Sequence, residues 1–182
     1  LPVHLDGARI HNAAAALGIS AAELSAGCDT VMFCLSKGLG APVGSILVGS
    51  ADTIIEARRV RKMFGGGMRQ AGIIAAAGLV ALEEVTPLLA EDNRRAHQLA
   101  VGLAEIPAVV LDPATVDTNI VFFPLAEDAS MDAGTLAAQL AEEGLLCHPL
   151  GGDSIRMVTH YHISDEDISR AVEITSRVLN TN

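Results

Sequence analysis

Apolar positions follow two regimes along the chain. Up to residue 48, short runs rich in Val, Ile, Leu and Phe at residues 3–5, 29–35 and 43–48 are separated by Gly- and Ser-containing joints and read as strands. The first reads as the end of a buried parallel strand that gives way to a loop at Asp6. Between these strands, the Ala-rich segment 8–17 predicts a helix stopped by Gly18, and Ser20 caps a short helix over 21–25. Residues 51–62 predict a helix with basic residues near its C-terminal end, where they oppose the helix dipole; Gly65-Gly66-Gly67 breaks it. A long helix is expected from about residue 70 to about residue 106, bent near Pro87, because proline removes a backbone donor and crowds the preceding turn. Such a helix can bridge two domains. After Pro107 the pattern changes to short strands at 109–111, 118–123, 145–148 and 154–158, with amphipathic helices at 132–143 and 165–179. The last opens on Ser164 followed by Asp165-Glu166-Asp167, a serine cap and three acidic residues that suit a helix N-terminus. The fold class is α/β.

Composition narrows the function classes. With 182 residues, half of them apolar, the chain can bury a substantial core as one domain or a domain plus an appendage. The net charge of −10 is spread along the chain, and the basic residues form no stripe interleaved with aromatics. Trp is absent and Tyr occurs once, so nucleic acid is not an expected partner. Cys28, Cys34 and Cys147 are too few and too irregularly spaced for a disulfide framework; they read as small buried hydrophobes in a protein of the reducing cytoplasm. The longest apolar stretch, residues 71–82, contains two glycines and stops short of the roughly 20 residues that cross a bilayer, so no membrane association is expected. His4, His11, His97, His148, His160 and His162 form no metal set: His160 and His162 are two apart, but no third ligand of suitable spacing follows.

Candidate chemistry centres on Lys37, in Ser-Lys-Gly-Leu-Gly-Ala-Pro-Val-Gly-Ser from Ser36 to Ser45, and on Asp6, 37 − 6 = 31 residues upstream, in His-Leu-Asp-Gly-Ala-Arg. A lysine in a Gly/Ser-rich loop after one apolar run, with an aspartate at the end of another, is what an enzyme built around pyridoxal 5'-phosphate (PLP) needs. The amine holds the cofactor aldehyde as a Schiff base, and the carboxylate pairs with the pyridinium nitrogen so that the ring can accept electrons. Each half also has a plain reading, Asp-Gly as a turn and Lys-Gly as the polar end of an element. A free lysine has a reference pKa of about 10.4, so a site that uses its amine as a nucleophile must favour the neutral form. Gly38 and Gly40 let the backbone approach a cofactor closely, and the Ser36 hydroxyl is placed to donate to its phosphate.

Four blocks occur together: Asp6-Gly7-Ala8-Arg9, the Lys37 loop, the run from Arg61 to Gly72 around the triple glycine, and Ile155-Arg156-Met157-Val158-Thr159-His160. In order and spacing they resemble threonine aldolases of the low-specificity kind, in the wider family of beta-eliminating lyases and fold-type-I PLP enzymes. The resemblance runs essentially from Leu1 to the C-terminus, while the family's chains are about twice as long; it implies that the portion before Leu1 is missing here.

The resemblance implies a PLP-dependent transferase-like fold: residues 1–105 as the later part of the PLP-binding large domain, with its mostly parallel sheet and bridging helix, and residues 106–182 as a small C-terminal α/β domain. It implies PLP as cofactor and retro-aldol cleavage of a β-hydroxy amino acid, threonine or allo-threonine, to glycine and an aldehyde. Lys37, Asp6, Arg9 and Ser36 would contact the cofactor, and Arg156 would grip the substrate carboxylate through two parallel hydrogen bonds. Lys62 and Arg69 would line the pocket, reach that of a neighbouring subunit, or form surface salt bridges. A homodimer or homotetramer with sites between subunits is implied for the complete enzyme, whose stacking histidine, candidate base and most of the phosphate loop come from the half before Leu1. The competing readings are another fold-type-I lyase or transferase, although the triple glycine argues against most aminotransferases, and a catalytically silent or partner-requiring module.

Overall fold

The first strands form an open three-stranded sheet. In this computed structural model, which describes residues 1–180, β1 (His4–Asp6) pairs in parallel with β2 (Thr30–Cys34), from His4 opposite Thr30 to Asp6 opposite Met32. On its other side β2 pairs antiparallel with β3 (Ser45–Gly49), so the order is β1-β2-β3. The β1–β2 crossover contains α1 (Ile10–Leu17), ended by Gly18 in the left-handed region at φ 67°, and α2 (Ala21–Leu24), opened by a reciprocal Ser20–Glu23 capping box. The strand expected over residues 3–5 is present one residue later, but it is not buried: His4 and Asp6 are exposed, and so is most of β3. β1 and β3 are edge strands among the described residues, so nothing within this unit covers them.

The chain divides into two compact units, Leu1–Leu89 and Ala90–Asn182. The first has a small core of Leu35, Leu39, Ala41, Ala81 and Leu89. Its α3 (Ala51–Met63) is capped by Ser50, whose Oγ accepts from the Thr53 amide at 3.3 Å, and buries no residue. Large apolar side chains stay in solvent, Phe64 and Ile73 at 84% exposure each.

A continuous helical run follows. α4 (Gly72–Val80) passes into a π turn over Ala81–Val85, a 3-10 turn over Thr86–Leu88 and then α5 (Leu89–Ala104). The bend expected near Pro87 is thus a change of helix type, since Pro87 has no amide to donate to the ladder. By length and composition alone, the 33-residue run Gly72–Ala104, with mean hydropathy 1.8 in its most apolar window, is sufficient to cross a membrane. The uninterrupted stretch 71–82 understates it because Glu83 and Glu84 break the apolar sequence but not the helix.

In the second unit, β4 (Ile120–Pro124), β5 (His148–Pro149) and β6 (Ser154–Val158) form an antiparallel sheet of order β4-β6-β5. Strand alternation sends Val121, Phe123, Ile155 and Met157 into the core and leaves Phe122 and Arg156 on the open face. α6 (Ala133–Glu142) and α7 (Asp165–Asn180) contribute Leu136, Leu140, Ile168 and Ile174 to that core. The strand expected over 109–111 is reduced to a single bridge between Val109 and Leu125. α5 adds Ala96, Leu99, Ala100 and Leu103 to the same core, so the C-terminal part of the long helical run belongs to the second unit, while Ala81 and Leu89 belong to the core of the first.

Candidate active site

The parallel β1–β2 pair fixes which residues meet. Asp6 is the last residue of β1, and Lys37 lies three residues beyond the end of β2, so both stand at the carboxyl end of the pair, where open α/β sheets collect ligands. The chain turns sharply after Asp6. Gly7 donates its amide to Met32 O at 2.8 Å, and a Cβ on Gly7 would come within 2.9 Å of that same oxygen, which excludes a side chain. The Ala8 amide donates to Asp6 Oδ1 at 3.2 Å and steadies the exposed carboxylate. Arg9 occupies the N-cap of α1, half-buried, and the Cys34 amide donates to Ala8 O at 3.2 Å, tying the start of α1 to the end of β2.

The lysine loop is pinned from both sides. The Leu35 amide donates to Gly44 O at 2.9 Å, the Ala41 amide to Leu35 O at 3.0 Å and the Gly40 amide to Lys37 O at 2.9 Å. Leu35, Leu39 and Ala41 are buried, while Ser36 and Lys37 face solvent. Gly40 has φ 71°, a conformation that favours glycine. The Ser36 hydroxyl approaches Gly44 O at 3.5 Å, a long contact that a better acceptor could displace. His11 packs edge-on against Phe33 with ring centroids 5.1 Å apart; its Nε2 is buried without a hydrogen-bond partner among the described residues. Burial pushes the His11 pKa down.

Lys62, in the last turn of α3, and Arg69, on the exposed stretch after it, flank the triple glycine. A Cβ on Gly66 would meet Arg61 Cγ at 2.9 Å and one on Gly67 would meet Lys62 Cδ at 2.8 Å, so these glycines let the chain fold back over the two basic side chains. No ion pair among the described residues engages Lys62 or Arg69.

Arg156 belongs to the second unit. It is exposed on β6, opposite Phe122 on one side and His148 on the other. The end of its strand is anchored three residues on: Thr159 Oγ1 donates to Asp92 O at 2.7 Å, Asn119 Nδ2 to Thr159 O at 2.7 Å and the Thr159 amide to Asn119 O at 3.0 Å, all buried. The rings of Tyr161 and His162 lie 4.0 Å apart and His160 stands 5.7 Å from His162; burial, followed by the neighbouring His162 charge, pushes the His160 pKa down. The structure therefore brings Asp6, Arg9, Ser36 and Lys37 to one end of one sheet, and places Arg156 on the second with His160 two residues beyond the end of its strand. Sequence reasoning missed Asn12 and the Asn119–Thr159–Asp92 anchor, because an Asn in an Ala-rich helix and a polar Thr-Asn pair carry no signal of burial.

A crossover that delivers an aspartate and a lysine to one end of a β-α-β unit, followed by a small antiparallel α/β unit, is the architecture of PLP-dependent transferase-like fold-type-I proteins. A solved threonine aldolase from Leishmania major superposes with a TM-score of 0.74 over 98% of this chain and 52% of its own length, at 22% identity. The family model of the beta-eliminating lyases matches residues 1–128, and the chain belongs to that family. It is 43% identical over 169 residues to a low specificity L-threonine aldolase of Escherichia coli K12, covering 93% of this chain and 48% of the relative. It is also 43% identical over 166 residues to low-specificity L-threonine aldolase 1 of Arabidopsis thaliana, covering 91% of this chain and 46% of the relative. The chain spans about half the length of the curated relatives it matches.

Proposed function

We propose that this chain supplies the lysine, the ring-nitrogen carboxylate and the carboxylate-binding arginine of a PLP-dependent aldehyde-lyase, which cleaves threonine or allo-threonine to glycine and acetaldehyde. The observation that carries the reading is the position of Asp6 and Lys37 at the carboxyl end of one parallel strand pair. The donor set fits PLP: an exposed amine, an exposed carboxylate steadied by a backbone amide, a hydroxyl and a glycine-containing backbone turn. Bound there, PLP supplies a conjugated ring that accepts the electron pair released at the substrate α carbon. Lys37 Nζ is the attachment point. Asp6, acceptor-only when ionised, holds a proton on the ring nitrogen, and Arg9 and Ser36 contact the ring and the phosphate. The Arg156 guanidinium fork binds the substrate carboxylate and so orients the bond between the α and β carbons for cleavage. Lys62 and Arg69 are free to line the pocket of the same or a neighbouring subunit. We place the complete enzyme in the cytoplasm as a homodimer or homotetramer; the group that removes the β-hydroxyl proton comes from the part of the family fold that this chain does not span.

The test is a visible absorption titration of the purified chain with PLP beside Lys37→Ala, followed by product analysis with threonine. A band that requires Lys37, with glycine and acetaldehyde as products, supports the reading; release of a keto acid and ammonia overturns the aldolase assignment. A second reading, a module that works only with the remainder of the fold, is favoured by the solvent-exposed apolar residues of β3 and α4, among them Val48 and Ile73. No Lys37-dependent band from the chain alone, and its appearance on adding a polypeptide that completes the fold, would select that reading.

A further inference from the structure

Asn12 lies on α1, one turn past the Asp6–Arg9 segment, and is 1% exposed. Its amide lies flat against Gly38, the residue after Lys37. A Cβ on Gly38 would overlap Asn12 Oδ1 and stand 3.2 Å from Cγ and 3.4 Å from Nδ2. Gly38 is itself buried, with Leu39 behind it in the core, so neither side has room to retreat. The segment that leads into α1 is tied to β2 by the Gly7-to-Met32 and Cys34-to-Ala8 hydrogen bonds. α1 is thus a rigid spacer that carries Asp6 and Arg9 at its start and bears on the lysine loop through one buried amide.

We propose that Asn12 and Gly38 form a positioning pair that sets where Lys37 stands relative to Asp6. The proposal deepens the reading of Lys37 as the attachment point and rests on it for its functional meaning, though not for its geometry. Side chains that hold a reacting group must fix it to a fraction of an ångström, and in a packed interior an added methyl moves whatever cannot yield. Here a methyl on Gly38 must displace either the buried Asn12 amide or the backbone next to Lys37.

Lys37 and Lys62 are the chain's two lysines, so Lys62 is a built-in reference. Trace acetylation of the full chain, read by peptide mass spectrometry, gives the Lys37:Lys62 reactivity ratio without any cofactor. Gly38→Ala should change that ratio by about fivefold, as a displaced reacting group does. Asn12→Ala should also change it, by opening a hole beneath the loop. The double variant should return to within about twofold of the wild type, because the added methyl takes up the volume the lost amide leaves. An unchanged ratio in Gly38→Ala, or a double variant that adds the two defects instead of cancelling them, overturns the proposal. If Gly38→Ala does not fold, circular dichroism of the double variant decides: recovery supports the pair and continued misfolding overturns it. Parallel labelling with PLP and borohydride separates the two readings, since wild-type label divided evenly between Lys37 and Lys62 would sink the functional assignment while the acetylation result still judges the pair.

Discussion

Asp92 lies in the first turn of α5 with its side chain fully buried and both carboxylate oxygens without a donor among the described residues. Burial pushes its pKa up to about 6, Arg95 pulling it back and Glu91 adding to the rise. The folded state therefore binds more protons than the unfolded chain between about pH 4 and about pH 6. Stability contributed by this group is greatest below that window and is lost as the pH rises through it, by no more than about 3 kcal/mol. Asp92→Asn should flatten this part of the profile and raise stability at pH 7.5; urea melts of both proteins at pH 4 and pH 7.5 check it. Neighbouring carboxylates act with the opposite sign: Asp165, paired with Arg94 and Arg95, and Asp132, accepting from the Thr135 amide, are held low and lose their contribution as the pH falls, so the difference between variant and wild type is the informative quantity. Asp92 is hidden in the sequence, where Glu91-Asp92-Asn93-Arg94-Arg95 reads as one solvated stretch. Only the face that α5 turns to its core separates it from Glu91.

At the scale of elements, α5 and α7 meet closely at Gly102, where a Cβ would come within 2.6 Å of Val172 Cγ2 and 3.1 Å of Cγ1. Gly102→Ala gains helix propensity but overfills this contact, and should cost about 1–3 kcal/mol in denaturant melts. Val172→Ala in the same chain should recover most of that loss. Elements with a strong local signal were legible: the strand over 154–158 follows from strict alternation, the Ser20 and Ser164 caps follow from their acidic partners three residues on, and Gly18 stops α1. The positions of the candidate residues were legible in their order, since Asp6 and Lys37 each sit at the end of an apolar run. What the sequence could not carry was pairing and burial. β3 turns antiparallel on β2 through the long loop that carries Lys37, the π turn after α4 has no residue signature, and the apolar run at 109–111 loses its ladder to a single bridge. Residues 3–5 look buried by composition, whereas burial depends on the neighbours present, and β1 lies at a sheet edge among the described residues.

For the whole molecule, the two units are unequal in what holds them. The second closes its sheet under three helices with a continuous core that includes Phe123, Leu103, Leu136 and Ile155, none of them accessible to solvent. The first has a cluster of only five buried apolar side chains, with Ile10 and Ala14 buried besides, and leaves Leu47, Val48, Phe64 and Ile73 in water. Amides of β1 to β3 should therefore exchange with deuterium well before those of β4 and β6, and sedimentation velocity should show association that grows with concentration. Equal protection in both sheets, or a monomer at every concentration, would contradict the ranking. The two unpaired rims of the first sheet also have a meaning beyond the test tube. Free backbone donors and acceptors beside exposed Val and Ile invite chaperones, proteases and like strands. The lifetime of this chain in a cell is then set by how soon another strand seals those rims, which makes its abundance a matter of proteostasis as much as of expression.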